Sequence, residues 1–155
     1  MKEKGIKKLK IQLNNETEEI SLNKSEDFLL LLDCTKEVIE LQKELRFTFT
    51  KPDISSDLKI RVVISTPSQI TLKLIVHAPV GAKNSASTLD MKALVLNSKA
   101  RIEFVPSLEI DEKEVSLDHK STIGVPDQEV LNYMMSRGLS YQASLDQLVS
   151  SFINM

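Results

Sequence analysis

Residues 58–64 read Leu-Lys-Ile-Arg-Val-Val-Ile, and residues 70–76 read Ile-Thr-Leu-Lys-Leu-Ile-Val. In both stretches every second position is apolar, and lysine, arginine or threonine stands at several of the positions between. Successive side chains of a strand point to opposite faces of a sheet, so this period of two predicts two β-strands with one buried face each. We expect the even-numbered residues of the first stretch to face a core, and Lys59 and Arg61 to face away from it.

The same alternation extends outward in shorter stretches, from about Leu9 to about Thr122. Leu9, Ile11 and Leu13 share one phase, which predicts a strand there. Residues 38–45 also fit a helical stripe, and we favour a strand. Strand starts recurring roughly every eight to twelve residues are typical of a sandwich, barrel or solenoid. The chain has only four glycines, few for tight hairpins, and periodicity alone does not separate sandwich from solenoid.

The pattern changes at Pro126, where a helix start is predicted at Pro126-Asp127. Arg137-Gly138 provides a basic last turn and a glycine at the helix end, and Ser140 is a candidate N-cap for a second helix. The apolar stripes of the two helices are Val130, Leu131, Met134 and Met135, then Leu145, Leu148, Val149 and Phe152. We therefore divide the chain into a β core over residues 1–124 and a helical hairpin over residues 125–155.

Composition excludes several classes of partner. Twenty basic and 22 acidic residues give a net charge of −2, and aromatic residues make up 5% with no tryptophan. Neither feature suits a nucleic-acid partner. The longest apolar run, residues 28–32, is far shorter than the ~20 residues of a membrane helix, so we expect no membrane partner. The lysine-rich start lacks the apolar stretch of a signal peptide, and the single cysteine, Cys34, excludes an internal disulfide. We expect a cytoplasmic protein.

Motifs of catalysis are missing, because no phosphate loop, dinucleotide fingerprint, nucleophile elbow or zinc-protease helix is present. We therefore expect no enzyme. Cys34 is either a thiolate ligand for iron or sulfur or, the interpretation we favour, a small buried residue at a strand end. His77 falls out of the inward phase of its strand and is expected to be exposed. His119 continues the phase of Val115 and Leu117, which most often means a buried neutral histidine.

Several motifs over the last third of the chain are similar to the core of the SufB/SufD family of iron–sulfur cluster assembly proteins. Residues 93–100 read Ala-Leu-Val-Leu-Asn-Ser-Lys-Ala, and residues 106–110 read Pro-Ser-Leu-Glu-Ile. A strand carrying His119 then precedes Ser-Thr-Ile-Gly at 121–124. Residues 133–139, Tyr-Met-Met-Ser-Arg-Gly-Leu, resemble the family's Tyr-Leu-x-Ser-Arg-Gly-hydrophobic signature. A typical member is several times longer than this chain.

The resemblance implies a mainly β fold, a right-handed parallel β-helix (β-solenoid) followed by a C-terminal α-helical hairpin. It implies a non-catalytic scaffold in SUF-type iron–sulfur cluster assembly. The β-helix would pair with a SufB-like homologue or with a second copy of itself, and the hairpin over residues 125–155 would dock a SufC-like ABC-type ATPase. The residues expected to contact partners are Tyr133, Met134, Arg137, Leu148 and Phe152.

Family members build clusters near the interface of the pair, with a cysteine on one partner and a histidine on the other. His119 matches this histidine, which makes it a candidate metal ligand or sulfur-handling residue. Met91 aligns with the SufB-type cysteine, and a thioether cannot form the thiolate that iron requires, so the chain is SufD-like. We expect a transient iron–sulfur cluster in a complex and none in the isolated chain. Leu117 and Lys120 also depart from the family pattern, which leaves open a degenerate interaction or regulatory module without cluster chemistry.

Overall fold

The computed structural model describes residues 4–155. Within this range the chain forms nine strands followed by two helices. The strands are β1 (Ile6–Leu9), β2 (Glu18–Leu22), β3 (Asp27–Cys34), β4 (Glu40–Phe49), β5 (Leu58–Ile64), β6 (Gln69–Ala78), β7 (Ser85–Val95), β8 (Arg101–Ile110) and β9 (Val115–Gly124). The helices are α1 (Gln128–Ser136) and α2 (Tyr141–Asn154). Lys2, part of the lysine-rich start, lies outside the described residues.

The strands alternate between two sheets, and every pairing is parallel. Sheet A has the order β1-β3-β5-β7-β9, and sheet B has the order β2-β4-β6-β8. Each coil of the chain therefore adds one strand to each sheet and stacks on the coil before it. The result is a β-solenoid of about four turns with two C-terminal helices, which confirms the predicted fold class.

The register shows that the inner coils have nearly constant length. In sheet A, Phe28 pairs with Leu58, Leu58 with Leu89, and Leu89 with His119. The residue numbers of these partners rise by almost the same interval at each step. The first coil is shorter, since Ile6 already pairs with Asp27. Side chains of one phase therefore form straight columns across the inner coils, and the first coil is contracted.

The core lies between the inward faces of the two sheets, as the alternation predicts. Each even-numbered residue of residues 58–64 and 70–76 is at most 2% exposed. Residues 40–49 form a strand rather than a helix, and Val38 lies before it in an exposed turn. The prediction that Leu13 belongs to a strand is wrong, because β1 ends at Leu9 and Leu13 is exposed in the following loop.

Aspartates link successive coils near the N-terminal ends of the strands of sheet A. Asp27 Oδ1 accepts a hydrogen bond from the backbone N–H of Asp57 at 2.9 Å, and Asp57 Oδ1 accepts one from the N–H of Thr88 at 3.3 Å. These three residues each precede a member of one register column, that of Phe28. Each aspartate thus satisfies a backbone donor one coil further on, which fixes the stacking of the coils.

The helical hairpin is capped as the sequence predicts. Asp127 accepts hydrogen bonds from the N–H groups of Glu129 and Val130, and Ser140 accepts one from that of Ala143. Gly138 has φ +97°, the left-handed conformation that ends many helices. Arg137 is the C-cap of α1 rather than part of its last turn.

The hairpin lies beside sheet A. Val63 and Leu94 point outward from this sheet and are nevertheless almost fully buried. A crevice of about 570 Å³ has Val63 on one wall and the α2 residues Leu145 and Val149 on the other. Leu145 and Val149, two half-buried residues of the α2 stripe, therefore face the side of the solenoid. Neither helix in residues 4–155 combines the length and apolar character needed to cross a membrane.

Candidate functional site

His119 lies in β9 on the face that points towards the interior. Its column continues through Leu89 and Leu58 to Phe28, and those three side chains are at most 2% exposed. His119 itself is exposed, contrary to the expectation of a buried ring. The reason is that β9 is the last strand of sheet A, so within residues 4–155 no further coil covers this position. His119 therefore occupies a core column where that column opens to solvent.

The neighbours of His119 on its own face of β9 are apolar or small. Val115 and Leu117 share its face and are half-buried, and Ser121 is exposed. Met91 is fully buried in β7, where it pairs with Ser121. From strand spacing and rise, the Cα atoms of Met91 and His119 lie about 8 Å apart. The position that aligns with the family cysteine is thus close to His119, and it carries a thioether in this chain.

Cys34 lies elsewhere. It ends β3, its side chain is fully buried, and this burial, together with the nearby Asp33 charge, raises the pKa of its thiol to about 11. Three strand spacings separate β3 from β9, about 14 Å, and an offset along the sheet adds about 20 Å. The structure therefore does not bring Cys34 and His119 together. Across residues 4–155, no three histidine, cysteine or acidic side chains cluster as a metal site.

A buried ion pair supports the strand next to His119. Arg61 Nη2 lies 2.9 Å from Asp90 Oδ2, and Arg61 is fully buried although it points outward from sheet A. Lys120 Nζ lies 4.0 Å from the same Asp90 oxygen. The alternation predicts that Arg61 lies on the outer face but does not indicate its burial. Only the apolar residues Val63 and Leu94 on that face could have indicated that something covers it.

The last coil leaves a long edge open. β8 and β9 have ten residues each, and in the described part of the chain neither has a neighbouring strand on its far side. Their inward residues are apolar and only partly covered: Ile102, Phe104, Leu108, Val115 and Leu117 are half-buried, and Ile110 and Ile123 are about half exposed. A cavity of about 420 Å³ opens at this end between Val95, Ile102 and Ile123. Such an edge can accept further strands.

The second exposed apolar surface is on the hairpin. Of the predicted contact residues, Tyr133 is 59% exposed, while Met134, Leu148 and Phe152 are half-buried. The guanidinium of Arg137 lies 5.2 Å from the centre of the Tyr133 ring. Val130, Met135 and Tyr141 are not among the residues predicted to contact partners, yet each is at least 40% exposed. The exposed apolar side chains of the hairpin thus extend beyond the residues predicted to contact partners.

His77, the other histidine, lies on the outer face of sheet B and is half-buried rather than fully exposed. Its Nε2 atom is 2.8 Å from Asp111 Oδ2, which accounts for the partial burial. Nearby, Arg46 forms a bidentate ion pair with Glu109. These groups satisfy one another, and His77 points outward from β6, the strand that pairs with β8.

Comparison with known proteins identifies relatives that are iron–sulfur cluster assembly proteins. The chain is 28% identical over 102 residues to the iron–sulfur cluster assembly protein SufB of Bacillus subtilis (strain 168), which covers 66% of this chain and 22% of that protein. It is 26% identical over 102 residues to SufBD family iron–sulfur cluster assembly proteins of Staphylococcus aureus strains USA300 and NCTC 8325, with the same coverage. The chain spans about a fifth of the length of these relatives.

The match to a domain family is more extensive than these pairwise matches. The SufBD core domain of the SUF system for iron–sulfur cluster assembly matches residues 10–152. This range includes the coils from the first loop onward, His119, α1 and all but the last two residues of α2. The sequence motifs, the parallel solenoid with its helical hairpin and this match agree, and the chain belongs to the SufBD core domain family of the SUF iron–sulfur cluster assembly system.

Proposed function

We propose that the chain is a non-catalytic scaffold in SUF iron–sulfur cluster assembly, with one surface for a β-helix partner and another for an ATPase. The partner at the open edge would be a SufB-like homologue or a second copy of this chain. The partner at the hairpin would be a SufC-like ABC-type ATPase. The observation that carries the proposal is the exposed His119 in a core column at the open end of the solenoid.

The chemistry of His119 fits a shared site. A neutral imidazole nitrogen binds iron, and its exposure on the inward face would place it at the seam once a partner covers the last coil. Met91 supplies no thiolate, and the Cys34 thiol is buried with a raised pKa. The thiolate would therefore come from a cysteine-bearing partner, because a second copy of this chain would carry the same Met91 and the same buried Cys34. The cluster is cargo held by the pair, and the isolated chain holds none.

Pairing at the open edge has a physical driving force. Strand addition to β8 or β9 would satisfy their free backbone groups, and closing the end would bury Phe104, Leu117 and Ile123. Buried apolar area contributes about 25 cal/mol per Å². The same contact would remove the ring of His119 from bulk water. Pairing and the chemistry of His119 are thus linked.

Docking of the ATPase uses exposed side chains of the hairpin. Tyr133, Met135 and Tyr141 present aromatic and thioether groups of the kind that interfaces favour. The stacking of Arg137 on Tyr133 holds both side chains in place before a partner arrives. Arg137 then offers a positioned cation to an acidic group of the ATPase.

Cluster reconstitution with a cysteine-bearing SufB-like partner tests the role of His119. The variants are His119→Ala and, as a matched control, His77→Ala, which removes the other histidine. We expect the wild-type complex and the His77→Ala complex to show iron–sulfur absorption, and the His119→Ala complex to lose it. A stable cluster on the isolated chain that is unaffected by His119→Ala would contradict the proposal.

Pull-down with the ATPase tests the hairpin surface. Tyr133→Ala and Met135→Ala should each weaken binding at least tenfold. The control is Val80→Ala, which removes a more exposed side chain from a turn of the solenoid. Unchanged binding by both hairpin variants would contradict docking at this surface.

The second candidate, an interaction module without cluster chemistry, is favoured by Met91 at the aligned cysteine position. The same reconstitution separates the two functions. A module of this kind would bind both partners, and the cluster content of the complex would be identical with and without His119.

A further inference from the structure

We propose that the first coil is a cap that closes its end of the solenoid to strand addition, so that the chain pairs with other β-helices through its last coil alone. The closure follows from residues of the first two coils. The statement that pairing uses the last coil alone rests on the proposed function. The experiment distinguishes a failure of the cap from a failure of pairing at the last coil.

The first coil offers little backbone to an added strand. β1 has four residues and β2 has five, against ten residues in each of β8 and β9. The coil is also contracted, since Ile6 pairs with Asp27, whereas the next step of the register runs from Phe28 to Leu58. Short edge strands are one of the devices by which β proteins prevent edge-to-edge association.

A polar network closes the interior at this end. Lys43 shares an inward column with Leu72 and Phe104, and its side chain is fully buried. Its Nζ atom lies 2.7 Å from Glu18 Oε1 and 2.9 Å from Asn14 Oδ1. An inward-pointing lysine would be unfavourable in a column whose neighbours are all apolar, because its charge would be buried without a partner. Here it ties the loop over residues 10–17 to the coil below.

Further hydrogen bonds fix the same loop. Glu18 Oε1 accepts a hydrogen bond from the N–H of Gln12 at 2.9 Å, and Asn15 Oδ1 accepts one from the N–H of Gln42 at 3.0 Å. Leu41, directly beside this region, is only 3% exposed. The loop therefore covers the end of sheet B and uses polar groups that a stacked coil would have to displace.

Lysines protect the edge of β1. Lys7 occupies the same column as Phe28 and, at the opposite end, His119. Its Nζ atom lies over the Phe28 ring, 5.8 Å from the ring centre, and Lys7 and Lys8 are exposed. A strand paired to β1 with a coil beneath it would bury the ammonium group of Lys7 without a partner, which is strongly unfavourable. Exposed lysines on edge strands have this protective effect in natural sheets.

The experiment removes the edge lysines while the other end is blocked. All variants carry Ile123→Lys, which places a charge on the open edge of the last coil. The test variant adds Lys7→Val, Lys8→Thr and Lys10→Thr. The matched control adds Lys59→Thr, Lys92→Thr and Lys113→Thr, which removes the same charge from other sites. Light scattering over a concentration series measures mass, and circular dichroism measures folding.

We expect the test variant to at least double its mass with rising concentration, while the control and Ile123→Lys alone stay at one constant mass. Equal masses for test and control would overturn the cap. If Ile123→Lys leaves the mass and partner binding of the otherwise wild-type chain unchanged, pairing at the last coil fails, and the comparison of the test variant with its matched control still tests the cap.

A second variant covers the case in which the test variant with four substitutions does not fold. Lys43→Met removes the group that fastens the loop and leaves the edge lysines in place. Hydrogen exchange in residues 10–17 should rise at least tenfold, with β5 and β7 unchanged. Unchanged exchange in the loop would show that the Lys43 network does not hold it, and would overturn the cap as described.

Discussion

In the described part of the chain the first and the last coil each lack a neighbour on one side, yet they expose side chains of different kinds. At the first coil a column that is apolar elsewhere ends in Lys7, and the interior is closed by Lys43, Glu18 and Asn14. At the last coil the same column ends in His119, and its surroundings are apolar. A free sheet edge is therefore not by itself a binding surface. The side chains decide whether it repels or accepts another strand.

The largest loss of stability is expected for a substitution in the middle of the solenoid, and substitutions at either end can be compared with it. Leu74 is fully buried between Leu45 and Pro106. Leu74→Asp buries an unpaired charge, which costs several kcal/mol, comparable to the stability of a whole domain. Leu72→Asp should cost less, because Lys43 lies directly beside position 72. Urea denaturation measures both, and equal losses would show that the Lys43 ammonium is not available to the interior.

A smaller effect separates the two ends directly. Leu22 of the first coil is fully buried, whereas Leu117 of the last coil is half-buried. Leu22→Ala should lower the free energy of unfolding by about 3 kcal/mol, and Leu117→Ala by about 1 kcal/mol or less. Partner binding should show the reverse order. A larger loss of stability for Leu117→Ala would mean that the last coil is not open in the unpaired chain.

The polar cap predicts a modest pH dependence. The hydrogen bond from Lys43 holds the pKa of Glu18 below its ordinary value of 4.5. A carboxylate with a lowered pKa in the folded state contributes stability above its unfolded pKa, and this contribution is lost as pH falls through the folded pKa.

Glu18→Gln should therefore cost at most about 1 kcal/mol near neutral pH, since water screens a partly exposed carboxylate. The difference from wild type should shrink as pH falls below the ordinary pKa of a glutamate and vanish once Glu18 is protonated in the folded chain. Denaturation at several pH values checks this. A difference that is constant from acid to neutral pH would rule out the charge of Glu18 as the cause.

The smallest expected change is in the reactivity of the Cys34 thiol and not in the stability of the fold. Cys34 lies in β3, on which the first coil stacks, and the pKa of its thiol is raised to about 11. Alkylation of Cys34 in the native protein at mildly alkaline pH should therefore be slow, at the rate of local opening. If the polar cap also protects β3, Lys43→Met should increase the rate of this alkylation. Mass spectrometry follows the reaction. Rapid labelling of the native chain would show that the first coil does not shield β3.

Much of the fold could be predicted because the pattern of each inner strand is local. The alternation in residues 58–64 and 70–76 identified both core faces, and Asp127 and Ser140 identified the helix starts. The first coil was harder, because Leu9, Ile11 and Leu13 alternate like a strand while the chain leaves the sheet at Leu9. Nothing within that stretch indicates that the coil is contracted and that its partner strand begins as early as Asp27.

The candidate site was predicted in its position but not in its exposure. The phase of His119 is readable from Val115 and Leu117, whereas its solvent contact depends on β9 being the last strand of sheet A. The burial of Lys43 and Arg61 could not be predicted for a similar reason, because it depends on how the coils stack. Their burial depends on Glu18 and Asp90, which belong to neighbouring coils, and only the stacking of coils brings these residues together.

The near-constant length of the inner coils makes the solenoid modular. Removing residues 58–88 would bring Leu89 to the place where Leu58 now pairs with Phe28, because both residues belong to one column. The polar cap, the last coil with His119 and the hairpin would all keep their sequences. Evolution or design can therefore lengthen or shorten such a chain by whole coils, which changes the distance between its two ends without changing what either end binds or repels.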